Sequence, residues 1–145
     1  MSKQDIEISR SRGIKRPVPY RVIRSAVRAA LNAEHSDGHV SVLICGRGEI
    51  RRLNREFRDT DRVTDVLSFP DGNGGGDIAL CAGKIPVQAR RFGHSAAREA
   101  AYLCVHSVLH LLGYDHVNGE EERAAMRVRE EEIMNSIGLK RQGAK

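Results

Sequence analysis

The amino-acid sequence predicts an α/β (α+β) protein in which a four-stranded mixed β-sheet is covered by helices. Short segments rich in β-forming residues alternate with longer segments of helical periodicity, in the order β-α-β-α-β-β-α-α. The chain has 145 residues, of which 40% are hydrophobic, and this is enough for one core. We therefore expect a single domain that spans residues 1–145.

The first half of the chain is predicted to contain two strands and two helices. Apolar and polar residues alternate over residues 5–9, which is the pattern of a half-buried strand. The apolar run at residues 40–45 is typical of a strand that is buried on both faces. Apolar residues recur at helical spacing between residues 22 and 33, after two prolines, and a second helix is predicted at about residues 49–57.

The middle of the chain is predicted to contain two strands joined by a glycine-rich loop. The strands are residues 65–69 and 78–82, and the segment 71–76 between them contains four glycines. This segment is a weak candidate for a phosphate-binding loop, because the lysine and the Ser/Thr of a P-loop are missing and no helix follows directly. We therefore predict an ordinary connection between two strands.

The last third of the chain is predicted to be helical. A short helical region at about residues 86–92 is broken at Gly93, and Ser95 is suited to cap the long apolar helix that follows. A final amphipathic helix is predicted at about residues 120–137, followed by a frayed tail at residues 139–145. The apolar positions assigned to this final helix are Ala125, Met126, Val128 and Ile133.

Three of the six histidines lie in the segment 106–116, whose sequence is HSVLHLLGYDH. His106 and His110 are four residues apart, so they lie on one face of a helix, one turn apart. Gly113 suits the left-handed turn that ends many helices, and this turn can bring His116 to the same point. Three imidazoles and one open position form the ligand set of a catalytic zinc ion, although nickel or iron would also accept these ligands. The sequence thus predicts one zinc ion per chain, bound by His106, His110 and His116.

The histidine motif is also compatible with a core role or with a peptidase site. The two helical histidines could be core residues, but the surrounding helix is apolar on nearly every face, and a buried polar group without a partner costs roughly 1–3 kcal/mol. A shared metal ion would satisfy both rings. The spacing also matches that of metzincin peptidases, but Ser107 occupies the position of their catalytic glutamate and cannot act as a base at neutral pH. A peptidase is therefore disfavoured.

The histidine segment 106–116 resembles the signature of the YbeY endoribonucleases, also called rRNA maturation factors. Ser107 stands in the place of the usual glycine. Residues 53–70, with the sequence LNREFRDTDRVTDVLSFP, are similar to a second block of that family, although Val63 stands where the family often has proline. A third similar block is found at residues 76–78, so the resemblance covers nearly the whole chain.

This resemblance implies a mainly parallel four-stranded sheet with a zinc-binding helix packed centrally. It also implies a metal-dependent endoribonuclease, a hydrolase of phosphodiester bonds that cleaves single-stranded RNA. The expected partners are ribosomal RNA or the small ribosomal subunit. The expected roles are maturation of the 3′ end of the small-subunit ribosomal RNA and ribosome quality control. The same motifs would also suit a ribosome-assembly factor that binds RNA without cleaving it and holds a structural metal, although structural zinc is more often enclosed by four protein ligands.

The resemblance further identifies Arg58 as a candidate catalytic residue, because it occupies the arginine position of the family's Leu-Asn-x-x-x-Arg motif. A guanidinium near the metal could hold the scissile phosphate and offset its charge in the transition state. The alternative is an ordinary arginine at the end of a helix. Asp115, next to His116, has three open roles: orienting a ligand imidazole, acting as a base, or capping a turn.

Charge is distributed unevenly along the chain. Residues 1–60 contain thirteen Lys or Arg and seven Asp or Glu, whereas residues 61–145 contain eleven and twelve. The basic excess is mostly arginine, which suits contacts to phosphate, although such charge also occurs on the solvated helices of ordinary proteins. Because only 4% of residues are aromatic and Trp is absent, we do not expect an aromatic platform for stacked bases.

The sequence favours a cytoplasmic protein that does not cross a membrane. No apolar segment approaches the length of a membrane span, and the N-terminus lacks an apolar signal region. Cys45, Cys81 and Cys104 lie in apolar runs and form no C-x-x-C motif, so reduced core residues are expected.

Overall fold

The computed structural model describes residues 5–114 and 119–139, which contain four strands and five helices. The strands are β1 (Asp5–Arg10), β2 (His39–Cys45), β3 (Val66–Pro70) and β4 (Gly76–Cys81). The helices are α1 (Tyr20–Ala33), α2 (Arg47–Arg58), α3 (Lys84–Phe92), α4 (Ala96–Leu111) and α5 (Glu120–Ser136). Helix α3 corresponds to the helical region predicted at about residues 86–92, although the predicted order of elements includes only four helices. The left-handed residue Gly93, with a φ of 70°, separates α3 from α4 as predicted.

The four strands form one mixed sheet in the order β1-β2-β4-β3. The pairs β1–β2 and β2–β4 are parallel, and β3 runs antiparallel to β4. The predicted mixed, mainly parallel sheet is therefore confirmed. The strand β3 lies at the opposite edge of the sheet from β1, and the glycine-rich segment joins β3 to β4 as predicted.

Successive residues of the central strands point into two different hydrophobic clusters, which shows that both faces of the sheet are covered. On β4, Ile78 and Leu80 belong to the larger cluster, which includes residues of α1, α4 and α5. The alternate residues Ala79 and Cys81 belong to the smaller cluster, together with Ile50 of α2. This alternation is the direct consequence of the two-residue repeat of a strand.

The long helix α4 lies in the larger cluster, and most of its residues are buried. Its N-terminus is capped as predicted, since Ser95 Oγ accepts a hydrogen bond from the backbone N–H of Arg98 at 3.0 Å. Because α4 contacts α1, α3, α5, β3 and β4, it occupies a central position in the fold.

The final helix α5 presents a different face to the core from the one predicted. Met126 and Ile133 are buried as expected, and Met134 is buried with them, but Val128 is 61% exposed. Each residue of a helix turns by about 100°, so Val128 lies nearly opposite Met126. The buried face instead includes a carboxylate, that of Glu130, which is 2% exposed.

Two further features concern the cysteines and the length of the helices. Cys45, Cys81 and Cys104 are free thiols and all three are buried, as expected. Among the helices of residues 5–114 and 119–139, none combines the length and the apolar character that crossing a membrane would require.

Candidate metal centre and catalytic cleft

A cleft of about 610 Å³ lies between α4, β3 and the C-terminal end of α2. We call it the histidine cleft. Two of the three predicted metal ligands and the predicted catalytic arginine line the same cleft. The polar residues that line it are Arg58, Thr64, Asp65, Ser68, Tyr102, His106 and His110.

The side chains of His106 and His110 face each other across one turn of α4. Their Nε2 atoms are 3.2 Å apart, and the two rings meet edge to face at an interplanar angle of 75°. Two nitrogen ligands at the usual zinc distance and a tetrahedral angle are about 3.4 Å apart. The observed pair is therefore spaced as two ligands of one small cation would be.

The third predicted ligand, His116, and its neighbour Asp115 lie outside the described residues. The chain leading to them turns sharply after α4, where Gly113 has a φ of 102° and the N–H of Tyr114 donates to the carbonyl of Leu109 at 3.0 Å. This is the left-handed helix end that the glycine predicts. The participation of His116 stays a prediction.

The other ring nitrogen of His106 contacts a residue of α5. His106 Nδ1 is in a short contact with Glu130 Oε2, and the hydroxyl of Tyr102 donates to Glu130 Oε1 at 3.1 Å. The rings of Tyr102 and His106 are stacked, with centroids 5.9 Å apart. Burial, with a further contribution from the neighbouring carboxylate, raises the pKa of Tyr102, so its hydroxyl stays protonated as a donor.

Arg58 ends α2 and lies against β3 on the wall of the histidine cleft. Its guanidinium donates to the backbone carbonyl of Ser68, and its Cζ lies 4.9 Å from the centre of the Phe69 ring. The next residue, Asp59, has a φ of 55° and ends the helix. The ring and the carbonyl therefore hold the guanidinium at the wall of the cleft that the two histidines also line.

Asp65 also lines the histidine cleft, although the sequence analysis gave it no role. Its carboxylate accepts hydrogen bonds from Thr64 Oγ1 at 3.4 Å and from Gln88 Nε2 at 3.3 Å. The amide of Gln88 also donates to Glu99 at 2.7 Å, and Glu99 contacts His94 at 2.6 Å. A connected polar network thus extends from the cleft into the interface between α3 and α4.

A second group that could hold a cation lies at the opposite edge of the sheet. Ligand atoms of Asp5, Glu7 and His39 lie within 4.8 Å of one another. His39 Nδ1 is 3.1 Å from Asp5 Oδ2, and the two side chains are 44% and 69% exposed. Such an exposed pair is an ordinary surface ion pair, so the described residues fit a resident metal better at the histidine cleft.

Glu130, Tyr102 and Asp65 are site residues that the sequence analysis did not predict. Tyr102 and Asp65 line the histidine cleft, and Glu130 contacts His106 from α5. Glu130 is 24 positions from His106 in the chain and lies in a helix that begins with three glutamates, so no local pattern distinguishes it. Tyr102 was visible as a residue one turn before His106, on the same face of the helix.

Three comparisons show which known proteins the chain resembles. The family model described as "Endoribonuclease YbeY" matches residues 6–138. The Endoribonuclease YbeY of Chloroflexus aggregans is 45% identical over 135 residues, covering 83% of this chain and 88% of the relative. That of Carboxydothermus hydrogenoformans is 46% identical over 125 residues, covering 83% and 87%. The solution structure of TM1509 from Thermotoga maritima is similar with a TM-score of 0.60 and 28% identity, covering 97% of this chain and 99% of that one.

Proposed function

Because this chain belongs to the YbeY endoribonuclease family, we propose that it is a metal-dependent endoribonuclease that hydrolyses phosphodiester bonds of single-stranded RNA. The observation that supports this most directly is the convergence of His106, His110 and Arg58 on one cleft. A pair of nitrogen ligands and a guanidinium in one cleft are suited to a phosphate ester, which carries a negative charge.

The proposed metal is one zinc ion per chain, with His106, His110 and His116 as its ligands. The all-imidazole donor set and the 3.2 Å separation of the two Nε2 atoms suit zinc better than magnesium, which prefers oxygen ligands. When bound, such an ion supplies a water of lowered pKa and polarises a phosphoryl oxygen.

The side chains of the cleft have separate tasks in this proposal. Arg58 binds the scissile phosphate through its planar guanidinium and offsets the charge that develops there. The carbonyl of Ser68 and the ring of Phe69 keep that guanidinium in place before substrate arrives. His106 and His110 would hold the metal in the same cleft that Arg58 lines.

The biological substrate in this proposal is ribosomal RNA, and the role is maturation of the small-subunit RNA and quality control of ribosomes. The support for this part is the family to which the chain belongs, together with the basic excess of its first sixty residues. A folded precursor would be cut where it is single-stranded.

The decisive experiment measures cleavage of single-stranded and duplex RNA by zinc-loaded protein. We expect Arg58→Ala to lower the rate of cleavage of single-stranded RNA by about 10²–10³, the usual effect of removing one group that stabilises transition-state charge. Its zinc content should not change. Arg52→Ala is the matched control, because Arg52 lies on the same helix but forms exposed ion pairs with Glu49 and Glu56.

Loss of zinc from His110→Ala, with loss of cleavage, is the second expected result. If the zinc-loaded protein binds RNA and no metal-dependent cleavage occurs, the assembly-factor alternative is correct. If the histidine and Arg58 variants cleave as fast as the parent, the activity comes from a contaminating nuclease and the proposed site is wrong.

A further inference from the structure

We propose that Glu130 is a positioning residue of the metal centre. From helix α5, its carboxylate holds His106 in the orientation and tautomer that direct Nε2 towards the metal. This inference rests on the proposed function, because it takes His106 and His110 as ligands.

The burial of Glu130 is the first observation. Helix α5 carries six glutamates, and Glu130 is buried at 2% exposure. By contrast, the side chains of Glu120, Glu131 and Glu132 are 82%, 37% and 59% exposed. A carboxylate leaves water only when other groups replace its hydration, so the partners of Glu130 explain its burial.

Those partners account for both carboxylate oxygens. Tyr102 donates its hydroxyl to Oε1 at 3.1 Å, and the ring of His106 contacts Oε2 through Nδ1. Both partners are on α4, one turn apart, and their rings are stacked. Glu130 therefore recognises one specific arrangement of two rings.

The contact with Oε2 selects the tautomer of His106. An ionised carboxylate only accepts hydrogen bonds, so the ring nitrogen that faces it carries the proton. In a neutral imidazole with its proton on Nδ1, the lone pair is on Nε2, and this is the atom 3.2 Å from His110 Nε2. A histidine ligand held by a carboxylate through its other nitrogen is the usual arrangement in zinc proteins.

Two ion pairs fix α5 relative to the rest of the protein. Arg98 of α4 pairs with Glu131 at 3.2 Å, and Arg129 of α5 pairs with Glu34, at the end of α1, at 2.6 Å. Met126, Ile133 and Met134 pack into the larger hydrophobic cluster. The carboxylate of Glu130 is thus held at a defined place, which a positioning residue requires.

The test compares the zinc affinity of two neighbouring variants by competition with a chromogenic chelator. Glu130→Gln keeps the shape of the side chain but removes the charge, and we expect zinc to bind about 10–100-fold more weakly. Glu132→Gln removes the same charge two residues further along α5, from a side chain that is 59% exposed, and should bind zinc as the parent does. Tyr102→Phe, which removes the donor to Oε1, should weaken zinc binding by a smaller factor.

The outcomes separate this inference from the proposed function. If Glu130→Gln binds zinc as tightly as the parent while His110→Ala loses it, the metal site stands and the role of Glu130 is refuted. If His110→Ala also keeps its zinc, the site and the inference both fall.

A second measurement needs no variant and guards against a Glu130→Gln protein that does not fold. In zinc-loaded parent protein labelled with nitrogen-15 histidine, NMR should show His106 with a proton on Nδ1 and metal coordination through Nε2. Coordination through Nδ1 would overturn the inference, since that nitrogen would then be unavailable to Glu130.

Discussion

At the scale of single residues, Ser107 lies between the two described histidines that are predicted to bind metal, and its hydroxyl is buried. Ser107 is fully buried, and within residues 5–114 and 119–139 its Oγ has no hydrogen-bond partner. A buried hydroxyl without a partner costs about 1–3 kcal/mol. Among the described residues, the hydroxyl of Ser107 therefore makes no hydrogen bond that would stabilise α4.

We expect Ser107→Ala to raise the free energy of unfolding by about 1 kcal/mol, because it removes this unsatisfied hydroxyl. Urea denaturation of the metal-free protein measures the change. Ser25→Ala is the control for helix propensity, since Ser25 is exposed in the middle of α1. A Ser107→Ala protein that is no more stabilised than Ser25→Ala would show that the hydroxyl has a partner.

The buried thiol of Cys104 makes the free energy of unfolding depend on pH in the alkaline range. Burial raises the pKa of the Cys104 thiol to about 12, whereas an exposed thiol ionises near pH 8.5. Between these values the unfolded chain loses a proton that the folded protein keeps, so the free energy of unfolding falls as pH rises. We expect Cys104→Ala to show a shallower fall than the parent in urea denaturation between about pH 8.5 and pH 10.5. Parallel curves for the two proteins would contradict this.

At the scale of elements, the loop between β3 and β4 depends on close approach of its backbone to a neighbouring strand. A Cβ added to Gly75 would lie 2.0 Å from the carbonyl oxygen of His39. A Cβ on Gly72 would meet nothing within 4 Å, although its φ of 79° still disfavours other residues. Gly75 is therefore required because no side chain fits there, whereas Gly72 is favoured by its backbone conformation.

We expect Gly75→Ala to destabilise the protein by more than about 2 kcal/mol, since the backbone of β2 or β4 has to move. Gly72→Ala should cost only about 1 kcal/mol, the usual strain of a left-handed residue. Thermal unfolding followed by circular dichroism compares the two. Equal losses of stability in the two variants would mean that the backbone of β2 at His39 can shift at little cost in free energy.

Most elements could be predicted from the sequence because their patterns are local. The alternation of β1, the helical spacing of α1 and the Ser95 cap each depend on neighbours within a few residues, and each is found where expected. The observed bounds of the elements differ from the predicted ones by a few residues. Helix α2 begins at Arg47, earlier than predicted, because extended Gly46 serves as its N-cap.

The candidate site was predictable only in part, for the same physical reason. Helical spacing is sufficient to bring His106 and His110 together, because four residues make about one turn. The contact of His106 with Glu130 depends on how α5 packs on α4, and no spacing within either helix encodes it. Val128 is an example. The sequence pattern predicted that this apolar residue is buried, but it is exposed, and Glu130, two positions later, is buried instead.

At the scale of the whole molecule, the arginines on the surface of α1 and the histidine cleft are both suited to binding an anionic polymer. Arg21, Arg24 and Arg28 of α1 line a shallow groove on the surface. If single-stranded RNA contacts such a surface, counterions are released on binding and affinity depends on salt.

We expect the affinity for single-stranded RNA to fall at least about tenfold between 50 and 200 mM salt, measured by fluorescence anisotropy. A protein with both Arg24→Gln and Arg28→Gln should show a shallower dependence. If its slope equals that of the parent, these arginines belong to an ordinary solvated helix face, the alternative that the sequence left open.

The histidine cleft lies at the β3 edge of the sheet, and this position has a consequence for selectivity. β3 pairs with β4 on one side, so its other side borders the cleft with main-chain groups, of which the Ser68 carbonyl already contacts Arg58. If a single strand of RNA lies along this edge with its sugar-phosphate backbone in contact with these groups, the contacts do not depend on the base sequence. An enzyme that binds RNA in this way would select its cleavage site by whether the strand is accessible. The base sequence at that site would matter little.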